Sequence, residues 1–435
     1  MKQIFDQFDD PTRRSFMSYA AKSLLGVSML PALGGIVLGA DEKKVAKKYP
    51  GGGTAKNVIY LYMEGAMSHL DTFDIKPKSQ GSGTTQAVST AVPGLQVGEH
   101  FKSLPALMKD VALIRSMYTA TGAHRPGRYL MRTSYEEIAS TRHPSLGPWA
   151  QSFFGKRNKT LPDSVVISGG SQHPSAGFME TRFSPLPIAN AVEGLQNASS
   201  PKYLEDRDFN TRMNLIDSFD ASFRKKYDHK EVRAYTDFYK ETVALLKSSD
   251  LETFDITKEP EDVRKAYGDH KFGQGALLAR RLIQNNVRFV EVVSGGWDDH
   301  NNIYDDDKLP QRVQQLDQTL SALIKDLKSN GLFDETLIVL ATEFGRTPRI
   351  SDRAGRDHHP ASFSCALAGA GIKGGQVIGK TDDQGGTVDE DGVMPADFNA
   401  TIAHKMGIDL AAEIYSPSGR PFKVAHDGEV IEKLV

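Results

Sequence analysis

The stretch Asn57-Val58-Ile59-Tyr60-Leu61-Tyr62-Met63-Glu64-Gly65 decides the fold. An uncharged run that ends abruptly in a carboxylate and a glycine is the pattern of a parallel strand buried on both faces and feeding a site. Two later stretches read the same way. Val287-Arg288-Phe289-Val290-Glu291-Val292-Val293 runs into Ser294-Gly295-Gly296-Trp297-Asp298-Asp299-His300, and Thr336-Leu337-Ile338-Val339-Leu340-Ala341 runs into Thr342-Glu343-Phe344-Gly345-Arg346. Between them Leu277, Leu278, Leu282 and Ile283 recur at helical spacing before Asn285-Asn286, as do Leu316, Leu320, Leu323, Ile324 and Leu327 before Gly331. Strands alternating with such helices predict a doubly wound α/β arrangement. In open sheets of that kind, ligands bind beyond the carboxyl ends of the strands.

Length and composition allow a large globular core, in two or three units or in one α/β domain with insertions. The chain has 435 residues, 39% of them hydrophobic, and 53 Lys+Arg against 55 Asp+Glu for a net charge of −2. This excludes disorder, collagen and coiled coil, and leaves no basic field for nucleic acid. The lone Cys365 lies in an apolar run and reads as a small buried hydrophobe, so a thiolate zinc site and a disulfide framework are excluded. Residues 1–40 resemble a twin-arginine export signal: Arg13-Arg14-Ser15-Phe16-Met17, a weakly apolar stretch, and the small-residue cleavage site Val37-Leu38-Gly39-Ala40. The interruptions Gly26, Pro31, Gly34 and Gly35 make that stretch a poor membrane span, and no stable span is expected after cleavage. Residues 41–54 are a Lys- and Gly-rich tether, and 55–435 a single domain. Within it, 79–98 reads as a long polar surface loop and 203–271 as a charged helical insertion.

Groups able to bind a metal concentrate at the ends of the predicted strands. Asp298-Asp299-His300 follows one, Glu343 the next, and Asp357-His358-His359 lies in the loop behind it; Glu64, His69 and Asp71 leave the first strand at the same edge. Asp298, His300, Glu343, His359 and Asp71 are the expected ligands, with Glu64, His69, Asp299, Asp357, His358 and Arg346 as supporting or alternative ones. Asp71 reads equally as an Asx-turn former. Imidazole and carboxylate suit Zn²⁺ or Mn²⁺, and an oxygen-dominated set would suit Mg²⁺ or Ca²⁺.

Four phrases make a family resemblance specific: Glu64 to Asp74 (Glu-Gly-Ala-Met-Ser-His-Leu-Asp-Thr-Phe-Asp), Gly295 to His300, Glu343 to Pro348, and Gly355 to His359. They resemble the hallmark stretches of the domain of unknown function 1501 family, exported proteins placed beside the sulfatases in the alkaline phosphatase superfamily. The resemblance implies a central mixed sheet flanked by helices on both faces, with a metal site at the strand ends. His124-Arg125-Pro126-Gly127-Arg128, with Thr133 downstream, is similar to the sulfatase signature, but His124 stands where the nucleophile would be. No formylglycine forms from histidine, so hydrolysis would require attack by water made acidic by the metal. His124 would then be a ligand or general base and Arg128 a clamp on an anionic ester oxygen; alternatively His124 caps a helix and Arg128 makes a structural ion pair.

The expected function is therefore an exported, metal-dependent hydrolase of sulfate or phosphate esters, acting on a small-molecule or polysaccharide substrate in the periplasm or at the cell surface, with the twin-arginine machinery as its export partner. The competing class is a non-catalytic, metal-stabilised binding protein of the envelope or cell surface. An oxidoreductase is disfavoured, because Gly51-Gly52-Gly53 precedes a strand instead of following one.

Overall fold

Strand β1 (Asn57–Met63) is wholly buried at the centre of an eight-stranded sheet. The computed structural model describes residues 51–79, 81–170, 172–196 and 240–435, together with Tyr49 and parts of 211–227. The expected signal at 1–40 and most of the expected insertion between 203 and 239 lie outside the described residues. The other strands are β2 (Val111–Met117), β3 (Ser164–Ile167), β4 (Leu186–Ile188), β5 (Phe289–Ser294), β6 (Thr336–Ala341), β7 (Phe363–Ala368) and β8 (Val377–Ile378). Their order across the sheet is β8-β2-β7-β6-β1-β5-β3-β4.

The three strands read from sequence are neighbours. β5 and β6 flank β1, both parallel to it, with Met63 paired to Ser294 and Tyr62 to Ala341. Their exit loops therefore leave from one edge at one level. The sheet is mixed because β7 runs antiparallel to both β2 and β6. No helical pattern separates β6 from β7, so there is no crossover; the chain loops at the site edge and re-enters in reverse. Cys365 is buried in β7, where burial pushes its thiol up to about 12.

Helices cover both faces: α1 (His124–Thr133), α2 (Leu146–Phe154), α3 (Lys271–Gln284), α4 (Leu309–Ser329) and α5 (Pro395–Met406). Alternation along β1 sorts its side chains between two cores. Ile59, Leu61 and Met63 pack with Leu277, Leu278 and Leu282 of α3 and Leu316, Leu320 and Leu323 of α4. Val58, Tyr60 and Tyr62 pack with Trp149 of α2 and Phe398 and Ile402 of α5. Both predicted helices stop near the expected breakers: α3 at Asn285 and α4 at Asn330, before a left-handed Gly331.

The stretch 79–98 departs from the expected surface loop. Ala87–Ser89 pairs antiparallel with Gln96–Gly98, and Leu95 and Val97 are buried. Val97 and Leu95 alternate with polar residues, and that short period-two pattern outweighs the polar composition. The described part of the insertion, 240–271, includes a short helix, Glu261–Tyr267.

One buried charge within the sheet is compensated from α1. Glu291 of β5 takes hydrogen bonds from Arg132 Nε and Nη2 at 2.9 and 2.7 Å, with His173 Nε2 3.1 Å away. Burial pushes its carboxyl upward, but Arg132 and His173 outweigh it and hold it at about 2.

Candidate functional site

Helix α1 presents one stripe, at i, i+4 spacing, to one carboxylate within a central strand and two just past strand ends. His124 Nδ1 lies 2.9 Å from Glu343 Oε1, Arg128 Nη1 donates to Glu64 Oε1 at 2.9 Å, and Arg132 holds Glu291. Gly127 permits this approach, since a Cβ there would stand 3.2 Å from the Glu343 Cβ. His124 is the first residue of α1 and Ala123 its N-cap; the His124 ring is held by Glu343 at Nδ1 and caps no backbone group.

The exit loops are tied to one another before any ligand is considered. Gly65 N donates to Glu343 Oε1 at 2.9 Å, and at φ +116° a Cβ on Gly65 would meet the backbone nitrogens of Asp298 and Trp297 at 2.7 and 2.8 Å. Glycine is required there. Arg346, fully buried, donates to the carbonyls of Ala66 and Arg356 at 2.9 and 3.0 Å and to Asp298 Oδ1 at 2.5 Å.

Three imidazoles converge on Asp298. Its Oδ1 is 2.9 Å from His300 Nε2 and 3.3 Å from His358 Nε2, its Oδ2 is 3.2 Å from His124 Nε2, and the two Nε2 atoms of His300 and His358 are 3.0 Å apart. Every one of these rings is anchored through its other nitrogen: His124 by Glu343, His300 by Asp357 Oδ1 at 2.8 Å, and His358 by the Gly122 carbonyl at 2.6 Å. An acceptor at Nδ1 supports the tautomer in which Nε2 can ligate a metal. The 3.0 Å approach of the His300 and His358 Nε2 atoms needs a proton or a metal ion between them. His124 Nε2, 3.2 Å from Asp298 Oδ2, is buried with no hydrogen-bond partner.

These separations suit a cation. Ligand bonds of roughly 2.0–2.1 Å in a tetrahedron put donor atoms about 3.3 Å apart. Atoms of His124, Asp298 and His358 all lie within 4.8 Å of one another, with His300 beside two of them. The Asp298 side chain is 44% exposed, so the cluster opens to solvent. Burial pushes the Asp298 carboxyl up, but Arg346, then His124 and His300, hold it well below the usual range. Burial lowers His358 and favours its neutral form, the form that ligates. Glu343 also stays ionised: burial raises it, and the His124 and Gly65 hydrogen bonds outweigh burial.

Several sequence expectations fall elsewhere. Glu343, expected as a ligand, sits fully buried behind His124 and orients its ring. His359 points away from the cluster and its Nε2 contacts the Gly386 carbonyl, while His358 faces inward. The pair forms a two-residue strand against Gly345–Arg346, and successive side chains of a strand face opposite ways. Asp299 turns toward α4, where Arg312 Nη1 donates to it at 2.6 Å. Asp71 is saturated by Arg356 Nε, Tyr304 OH, Ser68 Oγ and Thr85 Oγ1 at 2.8, 2.9, 2.5 and 3.2 Å. His69 is buried against the Gly385 carbonyl at 2.9 Å, and burial holds it at about 4. Glu64, Asp357 and Arg346 border the cluster as partners of Arg128, His300 and Asp298. Two further participants carry little or no sequence signal. The Gly122 carbonyl has no side-chain signal, and Thr342, whose hydroxyl donates to the Met63 carbonyl and accepts from Met67 N, could be suspected only from its place before Glu343.

A carboxylate–imidazole centre at the strand ends of a mixed α/β sheet thus defines the class of site. By sequence the chain belongs to the family described as "Protein of unknown function (DUF1501)", which it matches over residues 55–435. No curated protein matches it. Among solved structures it is similar to the lipoteichoic acid synthase LtaP from Listeria monocytogenes (11% identity, 90% of this chain and 79% of that one, TM-score 0.41). It is also similar to a protein in the alkaline phosphatase superfamily from Vibrio parahaemolyticus (11%, 87% and 71%, TM-score 0.37) and to the PsFucS1 sulfatase from Pseudoalteromonas sp. (12%, 81% and 68%, TM-score 0.36).

Proposed function

We propose that the chain is a metal-dependent hydrolase of sulfate or phosphate esters whose cation is held by His124, Asp298, His300 and His358. The observation that carries this reading is the convergence of three Nδ1-anchored histidines on one ionised carboxylate. A donor set of three imidazoles and one carboxylate favours Zn²⁺ or Mn²⁺ over Mg²⁺ or Ca²⁺. The cation would supply Lewis acidity and a water acidic enough to attack at neutral pH.

The chain's own residues supply the rest. Glu343 fixes the His124 ring, and Asp357 and Gly122 fix the other two. Arg128, partly exposed and tied to Glu64 by one nitrogen, would steady negative charge developing on an ester oxygen. Thr133 is spent on the Tyr129 carbonyl and Ser134 on Asn399, at the far end of α1 from His124. Thr121, beside the cluster, accepts from Ala123 N at 3.2 Å. On the water-attack reading none of these hydroxyls takes the ester group, and no covalent enzyme intermediate should accumulate.

Metal-loaded protein should hydrolyse members of a panel of aryl sulfates and phosphates. His124→Ala should lower turnover by about 100-fold or more and weaken metal retention. The second reading, a non-catalytic binding protein, is favoured by His124 standing at the nucleophile position of the signature. It expects no turnover of any ester by the metal-loaded wild type, with His124→Ala changing thermal stability alone. A stable phospho- or sulfo-enzyme would defeat both.

For the whole chain the proposed order is a twin-arginine signal at 1–40, a tether at 41–54 and the hydrolase domain at 55–435, with the mature protein in the periplasm or on the cell surface. Among the described residues no helix is long and apolar enough to cross a membrane. Changing Arg13 and Arg14 together to Lys should leave precursor in the cytoplasm, whereas normal export of that variant would remove the twin-arginine route.

A further inference from the structure

We infer that a second anionic group of the substrate binds in a cleft on the neighbouring face of α1, which makes the substrates polyanionic esters. The ester-cleaving part of this statement rests on the hydrolase reading above; the anion site rests on separate observations. The cleft has a volume of about 620 Å³, within the range of small-molecule sites, and is lined by Arg125, Tyr129, Glu137, Thr141, Arg142 and Gln172 among others. Arg125 and Tyr129 are the chain neighbours of His124 and Arg128, so the α1 turns that face the metal cluster also form the cleft wall.

The charge balance of the lining favours an anion. Arg125 donates to both oxygens of Glu137, at 2.9 and 2.6 Å, which leaves Arg142 as the surplus cation. Arg142 makes one hydrogen bond, from Nη2 to the His173 carbonyl at 2.5 Å, and no ion pair among the described residues, so the rest of its fork is open. The Arg125–Glu137 pair is exposed, and exposed pairs are worth little, so an incoming sulfate, phosphate or carboxylate can take Arg125 as a second fork.

The wall is rigid as well as charged. His143, next to Arg142, is buried; its ring stacks on Tyr135 at 4.2 Å, its Nδ1 lies 2.9 Å from Tyr129 OH, and its backbone N donates to the same hydroxyl at 2.5 Å. Arg142 is thus presented from a fixed backbone, which lowers the ordering cost of binding.

The test is calorimetric titration of the metal-loaded full chain with galactan tetrasaccharides carrying no, one or three sulfates, and with a tetra-uronate of the same length. The trisulfated probe should bind about tenfold or more tighter than the monosulfated one, with the difference shrinking at high salt. Arg142→Ala should abolish that preference, and Arg142→Lys should retain part of it, keeping the charge without the fork. Both variants change an exposed residue, and melting curves verify that they fold. Arg142-dependent binding of the uronate would also support the site and assign it to carboxylates. Equal affinity for the monosulfated and trisulfated probes, or a preference that survives Arg142→Ala, would overturn the inference. Arg142-dependent binding with no ester turned over would remove the hydrolase reading and leave the cleft. Equal kcat/KM on mono- and polysulfated esters would do the reverse.

Discussion

Asp298→Asn is expected to lower metal affinity by more than about 100-fold while the protein stays folded. Losing an outer partner of a metal ligand costs about 10- to 100-fold, and Asp298 is the point on which all three imidazoles converge, so its loss should exceed that range. The fold should survive because the asparagine keeps an oxygen for Arg346, whose guanidinium also holds the Ala66 and Arg356 carbonyls. Its stability cost should be about 1 kcal/mol, the order of one hydrogen bond. Metal content after dialysis, read beside a denaturation curve, checks both halves. A variant that retains metal at the wild-type level would remove Asp298 from the centre.

Asp71→Asn should do the opposite. Asp71 and Arg356 are both fully buried, and their hydrogen bonds join the β1 exit loop to the segment before His358. Breaking such a pair from one side leaves a buried guanidinium uncompensated and costs about 3–5 kcal/mol. The amide would also turn an N–H₂ donor toward the donors of Arg356, Tyr304, Ser68 or Thr85. Urea denaturation should show that loss, while folded protein at low temperature still takes up metal. Metal loss without loss of stability would restore Asp71 as a ligand.

The contrast between these two aspartates shows where sequence reading stops. The three central strands are legible because a parallel strand buried on both faces is a continuous apolar run, and their shared acidic or imidazole endings point to one rim, though not to the order β6-β1-β5. The flanking helices were legible from period. Side-chain direction in the loops was not. His358 and His359, like Asp298 and Asp299, are neighbours of one chemistry facing opposite ways, and nothing in composition says which faces in. Nor does spacing reveal that Arg356, 285 residues away, occupies Asp71, or that Glu343 stands behind a histidine. The family resemblance implied a mixed sheet, but no residue pattern marks β7 as the reversed strand.

The central claim is that a cation sits among His124, Asp298, His300 and His358. The most direct measurement is anomalous diffraction at the zinc edge from crystals of the zinc-loaded full chain. One strong peak is expected roughly 2.0–2.2 Å from the Nε2 atoms of His124, His300 and His358 and from an Asp298 oxygen, absent in Asp298→Asn crystals. A peak beside Asp71 or His359, or no ordered peak in protein that retains zinc after dialysis, would contradict it.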